Sequence, residues 1–253
     1  MHTCMHTCIQ VPLFIRWEQY VPEFLPAVEG VTFVQVGANC GSNSKACAKG
    51  GDPIWNYAAS CGWSGIAIEP MGETFAKLCD NYASLTSRVL PLRAAITERA
   101  GEAWLARPQR TSETARVVRL LGPPSVPHGD PRRHKEVPEW LKLSTERVPA
   151  LALSDVWPLE GPDVLAVDAE GHEEQLLGFA PLPTPLPRLV LFEHAQLSSE
   201  GQARIHHKLA EQNFTWLADL KHQDPLGKTL PSQDRLYGRT RLSQRTARRP
   251  SSV

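Results

Sequence analysis

Short apolar runs alternate with segments of helical periodicity along most of this chain. The runs are rich in β-branched residues and predict strands at residues 31–36, 64–68, 88–96, 163–168 and 188–193. Apolar positions at helical spacing predict helices at residues 71–83, 171–178 and 199–213. Strands that alternate with helices in this way predict an α/β fold with a mostly parallel sheet.

Weaker patterns flank these elements. A leading helix is expected at residues 15–28, although Pro22 and Pro26 interrupt it. Asp52 followed by Pro53 is typical of a helix start and predicts a short helix that begins there. The remaining expected elements are a short strand at 101–105 and a final strand pair near 214–219 and 234–239.

The pattern divides the chain into three parts. Residues 1–27 are expected to form a helical extension, and residues 28–240 a single globular domain. Within that domain, residues 107–146 carry prolines, charges and few apolar positions, which is typical of a lid or a disordered insertion. Residues 241–253 are basic and are expected to be a disordered tail.

The first predicted strand ends abruptly at a glycine-containing loop. Gly37 and Gly41 allow a sharp turn and the close approach of a ligand where a Cβ atom would collide. Ser42 and Ser44 follow where a helix would begin, so exposed N–H groups are expected around any bound ligand. The second strand ends at Glu69, whose carboxylate is placed to accept hydrogen bonds from two ribose hydroxyls. Together these features favour a nucleoside cofactor.

The spacing of the glycines distinguishes between cofactors. The dinucleotide fingerprint is G-x-G-x-x-G, whereas three residues separate Gly37 from Gly41 and no third glycine follows in register. This looser loop suits a ligand without phosphates, such as the methionine half of S-adenosylmethionine. Taken alone, the loop is equally compatible with an ordinary strand–turn–helix junction.

Several motifs occur together in one order along the chain. They are Val-Gly-Ala-Asn-Cys-Gly-Ser-Asn-Ser (36–44), Ala-Ile-Glu-Pro (67–70) followed by Phe75, Leu78 and Asn81, Ala-Ala-Ile (94–96), Val-Asp-Ala-Glu-Gly (167–171) followed by Glu174, Leu177 and Gly178, and Leu-Phe-Glu-His (191–194). In these residues the chain closely resembles the FkbM-type S-adenosylmethionine-dependent methyltransferases. The resemblance implies a class I methyltransferase fold, which is a Rossmann-like three-layer sandwich. It has a mostly parallel seven-stranded sheet and an antiparallel last strand. The resemblance also implies O-methylation of a hydroxyl group.

The resemblance assigns a cofactor site to the strand ends, because ligands of open α/β sheets bind beyond the carboxyl ends of the strands. Glu69 is expected to hold the ribose, the turn at residues 93–95 to flank the adenine, and Asp168 to face the methionine end or the substrate. The cofactor-binding candidates are Val36, Gly37, Ala38, Asn39, Gly41, Ser42, Ser44, Glu69, Pro70, Ala94, Ala95 and Asp168.

A methyl sulfonium is already a strong electrophile, so the protein must chiefly align the acceptor and supply a base. The catalytic candidates are His194, Glu170 and Asp168. His194 has the most suitable intrinsic pKa for a base, but it can equally donate a hydrogen bond to a nearby backbone carbonyl. Glu170 can equally have a structural role, in which it binds neighbouring backbone N–H groups of the turn. His172 is expected to face solvent. A divalent metal bound by Asp168, Glu193 and His194 is an alternative that the motif pattern does not favour.

Composition restricts the partners. The chain has 253 residues with 27 basic and 27 acidic side chains, so no overall field attracts nucleic acid or acidic membranes. No signal peptide or membrane span is evident, which predicts a cytoplasmic protein. The six cysteines (4, 8, 40, 47, 61 and 79) are too sparse for a disulfide scaffold and are expected to be reduced thiols. Oligomeric state cannot be read from the sequence.

Three further patterns have a plainer interpretation. The repeat Met-His-Thr-Cys (1–4 and 5–8) lacks the second ligand-bearing element that metal sites use. Asp-Pro-Ile-Trp (52–55) stands in the wrong place, and has the wrong third residue, for an amino-methylating nucleic-acid enzyme. The insertion at 50–62 offers Trp55 and Tyr57, which with Trp63 are expected to form a wall of the pocket.

The sequence therefore predicts an S-adenosylmethionine-dependent O-methyltransferase that acts on a small molecule such as a sugar or natural product. Two alternatives remain: a cofactor-binding scaffold protein that has lost activity, and an NAD-dependent oxidoreductase.

Overall fold

A computed structural model of the chain describes residues 20–25, 30–41, 52–108, 119–121, 143–223 and 229–239. The helices are α1 (Val21–Phe24), α2 (Trp55–Cys61), α3 (Gly72–Tyr82), α4 (Glu173–Leu177) and α5 (Ser199–Glu211). Short 3₁₀ turns occur at Ala83–Leu85 and Leu153–Val156. The strands are β1 (Thr32–Val36), β2 (Ser64–Ile68), β3 (Val89–Leu92), β4 (Ala95–Thr97), β5 (Gly101–Pro108), β6 (Arg119–Leu121), β7 (Leu143–Ala152), β8 (Val164–Val167), β9 (Leu189–Glu193), β10 (Thr215–Gln223) and β11 (Thr229–Gly238).

Seven strands form the main sheet in the order β3-β2-β1-β8-β9-β11-β10. The pairs from β3 to β9 are parallel, while β11 runs antiparallel to both β9 and β10. The central strand β1 aligns Val34 with Ile66 of β2 and with Leu165 of β8. This topology confirms the expected class I methyltransferase fold, including the antiparallel last strand.

Helices cover both faces of the main sheet, because successive strand residues point to opposite sides. On one face Phe33 of β1 belongs to the apolar cluster that contains Tyr57 of α2 and Leu78 of α3. On the other face Val34 belongs to the cluster that contains Leu177 of α4 and residues of α5. The strands are therefore buried from both sides, which explains their nearly continuous apolar sequences.

A second, four-stranded sheet lies beside the main one, in the order β4-β7-β5-β6. The single strand predicted at 88–96 is wrong, because the chain turns at residues 93–94 and passes from β3 of the main sheet to β4 of the second. Strand β5 pairs antiparallel over its whole length with residues 143–150 of β7. This sheet covers a small core of Met71, Ala95, Ala103, Leu105, Val148 and Ala150.

The insertion at 107–146 lies partly in this second sheet, through β6 and the facing ends of β5 and β7. Its remaining residues, 109–118 and 122–142, lie outside the described part of the chain, so the lid or disordered insertion stays a prediction. The predicted N-terminal helix is described only at Val21–Phe24. The basic tail also lies outside the described residues.

The aromatic residues before β2 belong to the core. Trp63 is fully buried and stacks on Tyr57 with ring centroids 4.4 Å apart. The prediction that these two rings line a pocket is therefore wrong. The helix predicted to start at Asp52 and Pro53 begins later, at Trp55, but the Asp52 carboxylate still accepts hydrogen bonds from the N–H groups of Ile54 at 2.7 Å and Trp55 at 3.2 Å.

The cysteines differ from expectation. Cys40 and Cys61 each take part in a disulfide bond, so the prediction of reduced thiols is wrong for both, whereas Cys79 is a free thiol. Disulfides persist mainly in oxidising compartments. The cytoplasmic location stays a prediction, and these bonds count against it. Among the helices of the described residues, none has the length and apolarity that a bilayer crossing requires.

Candidate active site

The carboxyl ends of β1, β2, β8 and β9 bring the predicted site residues together. We call this region the strand-end site and define it as residues 37–41, Glu69, residues 168–171 and Glu193. Its parts lie close together: the N–H of Asn39 donates to Glu69, Gly37 packs on Asp168, and carboxylate oxygens of Asp168 and Glu193 lie within 4.8 Å of each other. The predicted convergence of these strand ends is thus observed.

Gly37 and Gly41 are required by contacts within the protein. Gly37 has a φ of +77°, and a Cβ atom there would lie 1.6 Å from the carbonyl oxygen of Asp168. Gly41 has a φ of +59°, and its Cβ would lie 2.3 Å from the Tyr82 ring and 2.4 Å from Leu78. The sharp turn expected from these glycines is observed, and the close approach of a ligand to them stays a prediction. They allow the loop to pack against β8 on one side and α3 on the other.

Glu69 ties two backbone segments together. Its carboxylate accepts hydrogen bonds from the N–H groups of Asn39 at 3.0 Å and Met71 at 2.9 Å. The side chain is only 6% exposed, and burial, together with repulsion from the nearby Glu170 carboxylate, raises its pKa to about 7. Each carboxylate oxygen has two acceptor positions, so Glu69 can still receive hydroxyl donors.

Asn81 makes a further connection to the glycine loop. Its side-chain amide donates to the carbonyl oxygen of Cys40 at 2.7 Å. Residues after Gly41 in this loop, including Ser42 and Ser44, lie outside the described residues, and their contact with a cofactor stays a prediction. Val36 is buried at the end of β1, and Ala38 is buried in the core beside α2.

The turn that was expected to flank the adenine offers its backbone and not its side chains. Ala94 and Ala95 are 1% and 2% exposed, because their methyl groups pack into two different cores. Contacts from these residues to an adenine would therefore come from their backbone. The neighbouring Arg93 forms an ion pair with Glu146 of β7, which joins the second sheet to the edge of the site. Pro70 is partly exposed next to Glu69.

The turn after β8 has a left-handed backbone. Glu170 has a φ of +52° and Gly171 a φ of +95°. The carboxylate of Glu173 accepts hydrogen bonds from the N–H groups on either side of Glu170, those of Ala169 at 2.6 Å and Gly171 at 3.0 Å. The sequence analysis missed Glu173, although an acidic residue directly after a turn and at the start of a helix is a recognisable signal.

Carboxyl groups crowd the strand-end site. Oxygens of Asp168, Glu173 and Glu193 lie within 4.8 Å of one another. Burial, together with repulsion from the Glu170 and Glu173 carboxylates, raises the pKa of Glu193 to about 7. The sequence analysis had considered Glu193 only as a metal ligand.

The pKa of Asp168 is raised even more strongly. The Asp168 side chain is exposed in the site, but the surrounding protein desolvates it, and the carboxylates of Glu193, Glu170 and Asp234 repel its negative charge. This repulsion acts whether or not the carboxyl group is covered by protein. Asp168 and Glu193 therefore both bind a proton more readily than an isolated carboxyl group, and Glu193 does so near neutral pH.

The histidines stand apart from this carboxyl pair. His194 places its Nε2 atom 4.0 Å from an oxygen of Asp219, and burial and the Arg235 guanidinium lower its pKa. Its role as a base stays a prediction. His172 is partly buried, with an Nε2 atom that has no hydrogen-bond partner, and burial lowers its pKa. The expectation that His172 faces solvent is wrong.

The metal alternative does not fit the observed grouping. Within the described part of the chain, the one set of potential ligands that converges is Asp168, Glu173 and Glu193, without His194. Both oxygens of Glu173 are already engaged with backbone N–H groups. Metal dependence remains untested and is not favoured by this arrangement.

Comparison with known proteins identifies the family. A sequence model of the methyltransferase FkbM domain matches residues 35–217, well over half of the chain. Among curated proteins, none matches the sequence.

Several solved structures have a similar but distant architecture. Precorrin-6Y C5,15-methyltransferase from Geobacter metallireducens is 9% identical, with 90% of each chain covered and a TM-score of 0.42. Fibrillarin, a pre-rRNA processing protein from Methanococcus jannaschii, is 10% identical, with 83% of this chain and 67% of that chain covered and a TM-score of 0.42. TYW2 from M. jannaschii, solved with AdoMet, is 12% identical, with 88% and 75% covered and a TM-score of 0.37. Similarities this weak carry no conclusion about substrate.

The contact between Gly37 and Asp168 can be tested with alanine. Gly30→Ala is a matched control, because Gly30 has a φ of +73° and no atom within 4 Å of its Cβ position. We expect Gly30→Ala to lower the free energy of unfolding by about 1–2 kcal/mol through backbone strain. Gly37→Ala should cost about 1–3 kcal/mol more because the loop and the turn must separate. Equal losses for the two variants in urea unfolding would contradict the packing described here.

The raised carboxyl pKa values predict how stability depends on pH. Between pH 5 and 7 the folded chain keeps protons on Glu69 and Glu193 that the unfolded chain has released, so these groups lose stabilising effect as pH rises. The lowered pKa values of His172 and His194 act in the opposite direction below about 6.5. Comparison of Glu193→Gln with the natural chain isolates the carboxyl contribution.

In Glu193→Gln the unfolding free energy should fall less steeply as pH rises, because the group that retains a proton is gone. We expect the slope to change by up to about 1 kcal/mol per pH unit. Urea unfolding between pH 5 and 8 measures this slope. Glu200→Gln, at an exposed position of α5, is the matched control. A slope for Glu193→Gln that equals that of the natural chain would show that Glu193 does not hold a proton in the folded state.

Proposed function

The chain belongs to the FkbM methyltransferase family, and on that premise we propose that it methylates a hydroxyl group of a small molecule, such as a sugar or natural product. Members of this family use S-adenosylmethionine as the methyl donor. The observation that carries the proposal is the pair of carboxyl groups of Asp168 and Glu193, whose oxygens lie within 4.8 Å of each other beside the glycine loop.

The carboxyl pair supplies the base that an alcohol acceptor needs. S-adenosylmethionine, when bound, contributes an electrophilic methyl group and leaves as S-adenosylhomocysteine. The chain must hold the acceptor oxygen in line with that group. During methyl transfer, Asp168 and Glu193 would accept the proton of the acceptor hydroxyl. Glu193, whose pKa is raised to about 7, is well matched to this role.

The cofactor would lie across the ends of β1, β2 and β8. Glu69 has acceptor capacity left for the ribose hydroxyls, and the exposed Asn39 lies beside it. Asp168 and the loop at residues 37–41 would meet the methionine portion. This arrangement repeats the sequence-based assignment, with the difference that Ala94 and Ala95 offer backbone instead of methyl groups.

The charge of the site favours a neutral or cationic acceptor. Glu170 and Asp234 add to the field of the Asp168–Glu193 pair, since both raise the pKa of Asp168. A phosphate backbone entering such a site would be repelled. We therefore favour a small molecule over a nucleic acid as the acceptor.

Cofactor binding distinguishes this proposal from its alternatives. Isothermal titration with S-adenosylhomocysteine should give saturable binding, and NADH should give none. Glu69→Ala should weaken S-adenosylhomocysteine binding by about 1–3 kcal/mol, because the ribose hydroxyls lose a charged acceptor. Glu73→Ala, which removes an exposed carboxylate of α3, is the matched control. An unchanged dissociation constant for Glu69→Ala would show that Glu69 does not hold the ribose, and NADH binding would favour the oxidoreductase.

Methyl transfer itself requires a second measurement. A cell extract supplied with methyl-labelled S-adenosylmethionine and the protein should yield a labelled small molecule whose label is in an O-methyl group. Label in nucleic acid or on nitrogen would contradict the proposal. Binding without any transferred label would favour the scaffold alternative.

A further inference from the structure

We infer that Glu173 is a positioning residue of the active site, which holds the turn at residues 168–171 and thereby places Asp168 against the glycine loop. The inference builds on the proposed function, because it assigns a role in that same site to a residue outside the reacting groups. It rests on three observations: the burial and bonds of Glu173, the left-handed backbone of Glu170, and the contact of Asp168 with Gly37.

Glu173 is placed for this role by its burial and its bonds. The side chain is 1% exposed at the first position of α4. Its two carboxylate oxygens accept from different backbone N–H groups, Oε1 from Ala169 at 2.6 Å and Oε2 from Gly171 at 3.0 Å. Hydrogen bonds to an ionised acceptor are shorter and stronger than neutral ones. One side chain thus fixes the backbone at both ends of a three-residue segment.

The residue between those two N–H groups is in a costly conformation. Glu170 has a φ of +52°, in the left-handed region that disfavours a residue with a Cβ. Such a residue persists only where its surroundings hold it, and such positions concentrate at functional sites. The side chain of Glu170 accepts a hydrogen bond from the Gln196 amide. The N–H of His172 donates to the Ala169 carbonyl at 3.1 Å, and the bonds to Glu173 hold the backbone on both sides of Glu170.

The turn determines where the cofactor loop lies. The Asp168 carbonyl oxygen occupies the space where a Cβ of Gly37 would be, and the N–H of Asp168 donates to the Val36 carbonyl at 2.9 Å. A displacement of the turn must therefore displace Gly37 or open a gap beside it. Through this contact, a change at Glu173 reaches the loop that we assign to the cofactor.

A neighbouring residue provides a matched control. Glu174 has the same side chain one position later, but it is directed toward α5, where it bonds to Arg204 at 2.8 Å. Glu174→Gln therefore removes the same charge from the same helix without affecting the turn. Glu173→Gln keeps the size of the side chain but can accept only one of the two N–H bonds, and Glu173→Ala can accept neither.

The test measures S-adenosylhomocysteine affinity at a temperature where each variant is fully folded by circular dichroism. We expect Glu173→Gln to bind about tenfold more weakly than the natural chain, Glu173→Ala more weakly still, and Glu174→Gln equally well. NMR amide signals of Ala169 and Gly171 should shift in both Glu173 variants and stay in place in Glu174→Gln. Shifted amide signals with unchanged affinity would overturn the inference, because Glu173 would then be merely structural.

Hydrogen exchange in the natural chain keeps the inference testable if the Glu173 variants do not fold. The amide hydrogens of Ala169 and Gly171 should exchange as slowly as those of the central strands. Rapid exchange at either amide would overturn the inference. If the natural chain does not bind S-adenosylhomocysteine, the proposed function fails. The amide measurements still decide whether Glu173 holds the turn.

Discussion

The strand-end site depends on one close contact between two backbones. There is no room for a single carbon atom between Gly37 and the carbonyl group of Asp168. This contact brings the loop after β1 and the turn after β8 into register at the centre of the sheet. Two carboxylates then hold the flanking backbone, Glu69 at the loop and Glu173 at the turn. The geometry of the site is therefore set by main-chain packing, and the acidic side chains project from a fixed frame.

That frame forces carboxyl groups together at an electrostatic cost. Glu170, Glu173 and Asp234 lie near enough to Asp168 and Glu193 to raise the pKa values of those two carboxyl groups. The folded chain reduces this repulsion by retaining protons at neutral pH. In the proposed function, the positive charges of S-adenosylmethionine would offset the remainder. The same retained proton gives the site its capacity to exchange a proton with an acceptor.

The sequence predicted the parts of the fold that depend on local pattern. The buried strands of the main sheet are apolar and end at residues that interrupt the pattern, so β1, β2, β8 and β9 were placed correctly to within a residue or two. The second sheet escaped prediction because β4 continues an apolar run from β3 without any signal of a change of sheet. The disulfide bonds at Cys40 and Cys61 escaped because cysteine number and spacing say little about proximity in space.

The site shows the same division. Gly37, Glu69 and Asp168 follow strands directly and could be placed from sequence, whereas the partners of each could not. Glu193 lies beside Asp168 because β8 and β9 are adjacent in the sheet. The order of strands in a sheet is set by the topology and cannot be read from the residues themselves. His194 was favoured for its intrinsic pKa, but the fold places it beside Asp219 and Arg235. Residue type suggested the chemistry, and tertiary structure decided which groups can act together.

A crystal structure of the protein with S-adenosylhomocysteine tests the central claim most directly. The account predicts that the ribose hydroxyls lie within hydrogen-bonding distance of Glu69, that the amino-acid portion lies against the backbone of residues 37–41, and that the sulfur faces the Asp168–Glu193 pair. A structure with the nucleoside bound elsewhere, or with protein side chains filling the space between Glu69 and Asp168, would contradict it.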